Sequence, residues 1–454
     1  MALMLRRWCL LWFLVVFSGF TVIAANQAAA PAPGSEFSKL FPSAGFEERV
    51  EFWKMIFTRY SRDEVVVHDR KDLRLIYKVV RSPYDGTDRA SIRRRQAQMK
   101  QTVDGLARTF DELIALGPDS DQLEFRHHEL VAVLKLANYQ PTEAALRRLK
   151  DNVHLQRGIK EKFREGLVRS GRYLPHLEQI FKEKGLPPEL VLLPHVESSF
   201  DYSAYSSKGA AGIWQITRGT GRKLLKIGRT VDERLHPIRA GEAAAELLLD
   251  NYQALGTWPL AITAYNQGKY GMLRAQALHG SDLKDIVDSY QSKIFGYAGE
   301  NFYAEFLAAV EITRDHEKFF PSLQIDMPLS FETVTVPKST SIKTLANKYK
   351  ISAEALRAYN PHLTSRVWRR ASAVPAGTAV HLPSGQGFTT LAENTAPESP
   401  TSKPAASNYT RYKVRRGDTL SKIARRFQVG IDQLKELNRI NSTRIYLGQL
   451  LLIP

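Results

Sequence analysis

Apolar positions between Phe41 and Leu174 recur mostly at helical spacing. Val103, Leu106 and Phe110 stand at i, i+3 and i+7 behind the helix-forming run 93–100, so they share one face of a predicted helix. Gly117-Pro118 and Pro141 punctuate the pattern, and residues 157–167 continue in the same style. Further on, Leu190, Leu193 and Glu197 fall on one face of a segment that opens with Pro187-Pro188. A first-turn proline costs a helix nothing, because its N–H would be unpaired there. Pro194 sits inside the segment and cannot donate to the Leu190 carbonyl, which predicts an irregular turn just before Glu197. An apolar-periodic helix follows over 241–252. The expectation is a mainly α chain, with one helical region over 36–150 and a second over 151–325.

After residue 325 the pattern changes. Period-2 positions (Val334 and Val336; Tyr412 and Val414) lead into helical periodicity, and a short apolar strand closes each unit. The two units are copies. Ile342, Leu345, Ala346, Tyr349, Ile351, Leu356 and Asn360 align with Leu420, Ile423, Ala424, Phe427, Val429, Leu434 and Asn438 at a constant offset of 78 residues. The closing strands align at an offset of 71, so the first copy carries seven extra residues around 366–374. Two small α+β modules of βααβ order are therefore expected, over 332–383 and 408–454. The Ser-, Gly-, Thr-, Ala- and Pro-rich segment 384–407 between them has a flexible linker's composition.

The N-terminus has the layout of a secretory signal over 1–25. Arg6-Arg7 precede an uncharged apolar stretch from Trp8 to Ala24, and Ala24-Ala25 offers a cleavage site. The Ala-, Pro- and Gly-rich segment 26–35 is expected to be a disordered leader. Cys9 is the only cysteine and lies in the signal, so a processed chain forms no internal disulfide. The signal implies export, and the expected place is the periplasm or cell envelope, with membrane association left open. The net charge of +17 favours polyanionic partners. For an exported chain these are wall carboxylates and envelope polymers, with contacts to the membrane or to envelope proteins left open. Nucleic acid is not expected, and nothing signals an oligomeric state.

One constellation carries chemistry. Glu197 is followed by Ser206, by Gly209-Ala210-Ala211-Gly212-Ile213-Trp214-Gln215, and then by Ala264-Tyr265-Asn266-Gln267-Gly268. A carboxyl on an apolar face at a helix C-terminus should have a raised pKa, which suits a general acid. Small residues around the glycines let backbone approach a ligand. Trp214 suits either a sugar face or the core. Asp201 is expected in the turn after Glu197, in a structural role. His127-His128 are read as two exposed helix histidines, because no further ligands stand at metal spacing. Neither metal nor cofactor is expected.

The constellation resembles the lysozyme-like catalytic domain of lytic transglycosylases of the membrane-bound lytic murein transglycosylase D type. The terminal repeats resemble LysM modules, the second clearly and the first in degenerate form. The resemblance implies a helical lysozyme-like domain behind a helical extension, cleaving peptidoglycan glycan strands with Glu197 as the sole acid/base. Ser206, Gln215, Tyr265, Asn266 and Tyr303 would then line the substrate site, with the Tyr303 hydroxyl supporting Glu197. Glu300 has no firm role by this alignment. In the last module, Gly417, Asp418, Thr419 and Leu420 would flank a groove for N-acetylglucosamine chains, together with Asn441 and Tyr446. Two other readings remain open: a lysozyme-type hydrolase using the same Glu197, and a non-catalytic wall-binding scaffold.

Overall fold

A computed structural model describes residues 36–83, 86, 88–292, 294–370, 372–384, 410–414, 418–438 and 450–453. The signal, the leader, most of the linker, and Gly417, Asn441 and Tyr446 lie outside the described residues. Two compact units result, 1–387 and 388–454. No helix among the described residues is long and apolar enough to cross a membrane.

The fold is mostly helical, with one addition to the expected N-terminal region. Strands β1 (Glu64–Asp69), β2 (Ile76–Arg81) and β3 (Val153–Arg157) form an antiparallel sheet in the order β2-β1-β3. The helical reading of 36–150 is corrected here. Val65, Val66 and Val67 are β-branched and all buried, and such a run packs better on a pleated surface than in a helix. Asp88 caps the long helix Arg89–Leu116 by accepting from the Ala90 and Ser91 N–H groups. The expectation for His127 is also corrected: it is buried. Its Nδ1 accepts from the Glu124 N–H and its Nε2 meets the Glu112 carboxylate at 2.9 Å. His127 is thus part of a helix cap, while His128 is exposed.

The main core runs from Phe41 to Leu323. At its centre lies the helix Tyr297–Arg314, buried over most of its length and largely apolar, as a mostly enclosed helix must be. It packs on the helices Glu47–Thr58, Trp258–Gln267 and Pro194–Glu197. The N-terminal region is tied to it by polar contacts. Glu300 accepts from Lys71 at 2.9 Å and Arg70 at 3.4 Å, Arg49 donates to Asn301 at 2.9 Å, and Lys54 pairs with Glu311 at 3.0 Å. Glu300, without a role in the sequence reading, is thus an internal strut.

Both repeat copies have the expected order. The first is β4 (Phe331–Thr335), helices Ile342–Lys348 and Ala353–Tyr359, then β5 (Ala379–Pro383). The second is β6 (Thr410–Lys413), helices Leu420–Arg426 and Ile431–Leu437, then β7 (Leu450–Ile453). One asparagine does the same work in each. Asn360 donates to the Leu356 and His381 carbonyls and accepts from the His381 N–H. Asn438 does likewise with Leu434 and Leu452. Both alignment offsets recur in these partners.

The extra residues of the first copy include a helix, Ser365–Arg370. The chain leading into it docks on the loop 226–232. The Thr364 N–H donates to the Thr230 carbonyl at 2.9 Å, and the Asp232 N–H to the His362 carbonyl at 2.8 Å. Beside this contact His236, His362 and His381 are buried together. Burial lowers the pKa of His362 and His381 to about 4 and that of His236 well below its usual value, so all three rings are neutral near neutral pH.

Candidate active site

The segment leading to Glu197 is broken where Pro194 predicts. A 3-10 turn, Pro188–Leu192, gives way at Leu193 to a single helical turn, Pro194–Glu197. Leu190 and Leu193 are fully buried, and Glu197 is half-buried at the end of their face. Ser199 and Phe200 then both take φ of +55°, a conformation that costs non-glycine residues free energy and clusters at functional sites. Neighbours hold this turn in place. Arg169 donates to the Ser199 carbonyl at 2.8 Å, and Ser198 Oγ donates to the Ile213 carbonyl at 2.9 Å. The second bond fastens the Glu197 turn to the Gly-rich strip.

Burial alone pushes the Glu197 carboxyl up to about 8, so it holds its proton near neutral pH. It makes no hydrogen bond or ion pair with the described residues. A half-buried, protonated, uncommitted carboxyl is a competent proton donor.

The Gly-rich strip is held from behind. Arg234 and Asp232, both buried, form a bidentate pair with distances of 2.9 and 2.7 Å. The free arm of the guanidinium donates to the Gly209 carbonyl at 2.7 Å and the Ile216 carbonyl at 3.2 Å. Gly212 is required twice over. Its φ is +78°, and a Cβ there would lie 1.9 Å from the Arg234 carbonyl oxygen.

The expected site residues have varied surroundings. Tyr265 ends the helix Trp258–Gln267, donates to the Trp214 carbonyl at 2.8 Å, and feels the Glu197 charge. Asn266 is exposed beside it and accepts from Gln267. Gln215, at φ +46°, spends its side-chain N–H groups on the Gly212 and Ala204 carbonyls. Ser206 is exposed, and its Oγ accepts from the Ala210 N–H at 3.0 Å. It closes its own turn rather than bonding Glu197. Trp214 resolves to the core: it is fully buried, stacked on Phe181, and donates to the Pro237 carbonyl. Asp201 accepts from the Ser203 N–H and hydroxyl, as a turn residue does.

Tyr303 is a correction. Its ring is buried edge-on to Phe46, and its hydroxyl donates to the Pro42 carbonyl at 2.9 Å. Its hydroxyl makes no hydrogen bond with Glu197, because it is directed to the N-terminal segment. Tyr303→Phe is therefore expected to lower stability by about 0.5–1.5 kcal/mol, the net contribution of one intramolecular hydrogen bond. Its kcat should be unchanged, as parallel thermal denaturation and turnover measurements would check.

The sequence reading missed Glu305. It is half-buried on the helix Tyr297–Arg314, and burial together with the Glu197 charge raises its carboxyl to about 8. Its spacing from Phe302, at i+3, was the available signal, but Glu197 lies 108 residues earlier and no local pattern links them.

In the second unit, Thr419 caps the helix Leu420–Arg426 by accepting from the Lys422 N–H, and Asp418 accepts from the Tyr412 hydroxyl at 2.8 Å. The Leu420 side chain is buried in the module core, leaving only its backbone to line a groove.

Residues 177–287 match the family described as Transglycosylase SLT domain, and residues 335–367 and 412–454 match the LysM domain. This chain carries an SLT transglycosylase domain and LysM domains. Membrane-bound lytic murein transglycosylase D of Escherichia coli K12 is 27% identical over 362 residues, covering 76% of this chain and 75% of that one. Among solved structures, the 70 kDa soluble lytic transglycosylase of Escherichia coli is 17% identical and covers 52% of this chain and 46% of that one, with a TM-score of 0.27. Lytic transglycosylase Slt of Pseudomonas aeruginosa is 17% identical, covering 44% of this chain and 30% of that one, also at a TM-score of 0.27. These two overlaps are too partial to bear on the site. The SLT match contains Glu197, the Gly-rich strip and Tyr265-Asn266, and it ends before Glu305. The LysM matches fall on the two repeat copies.

Proposed function

We propose that the chain is a peptidoglycan lytic transglycosylase with Glu197 as its single acid/base. The observation that carries this reading is a protonated, uncommitted, half-buried carboxyl at the broken helix end of an SLT domain. The Glu197 O–H gives its proton to the glycosidic oxygen as the bond from C1 of N-acetylmuramic acid breaks. N-acetylglucosamine leaves with a new hydroxyl. The Glu197 carboxylate then takes the proton of the C6 hydroxyl as O6 bonds to C1. The acid is regenerated, no water is consumed, and the product is a 1,6-anhydro sugar.

The exposed Asn266 and Ser206, and the Gln215 and Tyr265 that frame the strip, are proposed to line the substrate groove. Tyr205 precedes Ser206, is 61% exposed, and is anchored by a β-bridge to Ala211. Its ring suits stacking on an apolar sugar face. The LysM copies support attachment to the wall, with the groove loops at Gly417, Asp418, Thr419, Asn441 and Tyr446 proposed as glycan contacts. Homology to a membrane-bound murein enzyme supports a place in the cell envelope, and the signal-like N-terminus supports export to the periplasm.

Product chemistry tests the reading. Mass spectrometry of peptidoglycan digested by the purified protein should give muropeptides one water lighter than lysozyme products, without a reducing end. Reducing-end products would establish a hydrolase, and intact glycan a binding protein.

A further inference from the structure

The helix Tyr297–Arg314 carries three glutamates. Glu300 is neutralised by Lys71 and Arg70, and Glu311 by Lys54. Glu305 alone has no base, and it makes no hydrogen bond with any described residue. It is half-buried on a helix that packs directly on the Pro194–Glu197 turn. Two uncommitted carboxyls from elements in contact therefore share one poorly solvated region. Such regions ordinarily hold paired charges or none.

Hydroxyls on the Glu197 turn and on the elements packed near it are spent. Tyr265 donates to the Trp214 carbonyl, Tyr303 to Pro42, Ser198 to Ile213 and Ser199 to His195. When Glu197 gives up its proton it becomes an anion with no cation in contact. Among the described residues, Glu305 holds an uncommitted acidic proton on a helix packed against the Glu197 turn.

We propose that Glu305 is a positioning residue of the site, whose neutral carboxyl donates a hydrogen bond to the Glu197 carboxylate between proton donation and proton return. Glu305 keeps its own proton throughout, so the balance of the reaction is unchanged. The proposal rests on the acid/base reading of Glu197. The titration states agree with it: both carboxyls are raised by burial, Glu305 further by the Glu197 charge. A neutral Glu305 is also a poor base for water, which a two-carboxylate hydrolase would need.

Ionisable groups on the packed elements are neutral or paired, and on the Glu197 turn itself burial lowers His195 to about 3, so its ring is neutral. Tyr297, on the same helix, feels the Glu305 charge, and Tyr265 feels that of Glu197. Burial keeps both phenols neutral. From the helix Glu47–Thr58, Arg49 is directed to Asn301 and Lys54 to Glu311 and Glu51. From the Pro188–Leu192 turn, Glu189 is paired with Arg314.

The test compares Glu305→Gln and Glu305→Leu in the full-length protein, on soluble glycan fragments. Gln keeps volume and a hydrogen-bond donor, and Leu removes the donor. A hydrogen bond to a charged group corresponds to about 10–100-fold in rate. Glu305→Leu should lose about that in kcat with little change in KM, and Glu305→Gln should recover most of it below neutral pH. A second readout is independent of turnover. Carboxyl ¹³C titration, assigned by Glu197→Gln, should show Glu197 titrating in two coupled steps in wild type and in one step in Glu305→Gln. Equal kcat in the Leu variant, a Gln variant as slow as Leu, or identical Glu197 titrations would each overturn the proposal. Reducing-end products from wild type would overturn the transglycosylase reading instead, while the titration would still decide whether the carboxyls are coupled.

Discussion

Glu197→Gln should abolish measurable turnover while leaving the fold intact. General acid–base catalysis supplies about 10²–10⁴-fold, and here one group serves both proton transfers, so the loss should reach the upper end or beyond. The wild-type pH profile should match. Activity needs the protonated acid, so kcat should fall as pH rises through about 8, where Glu197 ionises. Stability gives an independent check. The folded-state pKa lies above the ordinary 4.5, so this group's contribution is fully present below pH 4.5 and is lost as pH rises towards 8. The Gln variant does not titrate. Its melting temperature should equal or exceed that of wild type near pH 7, and the advantage should vanish in acid. Near-wild-type turnover by this variant would remove Glu197 from the mechanism.

Asp232→Ala should produce the largest loss of stability. It strands the Arg234 guanidinium, buried and without its carboxylate. Breaking such a pair from one side costs about 3–5 kcal/mol. Function should suffer with it, because the same guanidinium holds the Gly209 and Ile216 carbonyls on either side of Gln215. Denaturation followed by the fluorescence of the buried Trp214 region would measure the first effect, and turnover well below the transition the second. Asp232→Ala with Arg234→Met should recover part of the stability but not the loop geometry. A single variant as stable as wild type would show that the pair is not what braces the strip.

What the sequence discloses here is local or periodic. The broken helix before Glu197 was legible because one proline in a helical pattern has one consequence. The repeat was legible down to Asn360 and Asn438, because identical side-chain chemistry closes both copies. The sheet could have been found from Val65-Val66-Val67, but the surrounding helical periodicity outweighed three residues. Tyr303 and Glu305 were beyond reach for a different reason. Both lie on a helix buried over most of its surface, so pattern cannot tell which neighbour each position faces. Only the packing of distant segments turns Tyr303 towards Pro42 and sets Glu305 near Glu197.

The ties between the N-terminal region and the helix Tyr297–Arg314 separate the matched sequence window from the cooperative folding unit. The SLT match spans 177–287. A fragment cut at those limits would leave behind Glu305, the helix that carries it, and the Phe41, Phe46 and Pro42 surfaces that cover that helix. It would keep Glu197, the Gly-rich strip and Tyr265-Asn266, and lose the helix that packs on the Glu197 turn. For anyone excising a catalytic fragment, the cuts belong before Glu36 and after the first repeat copy, which docks on the loop 226–232.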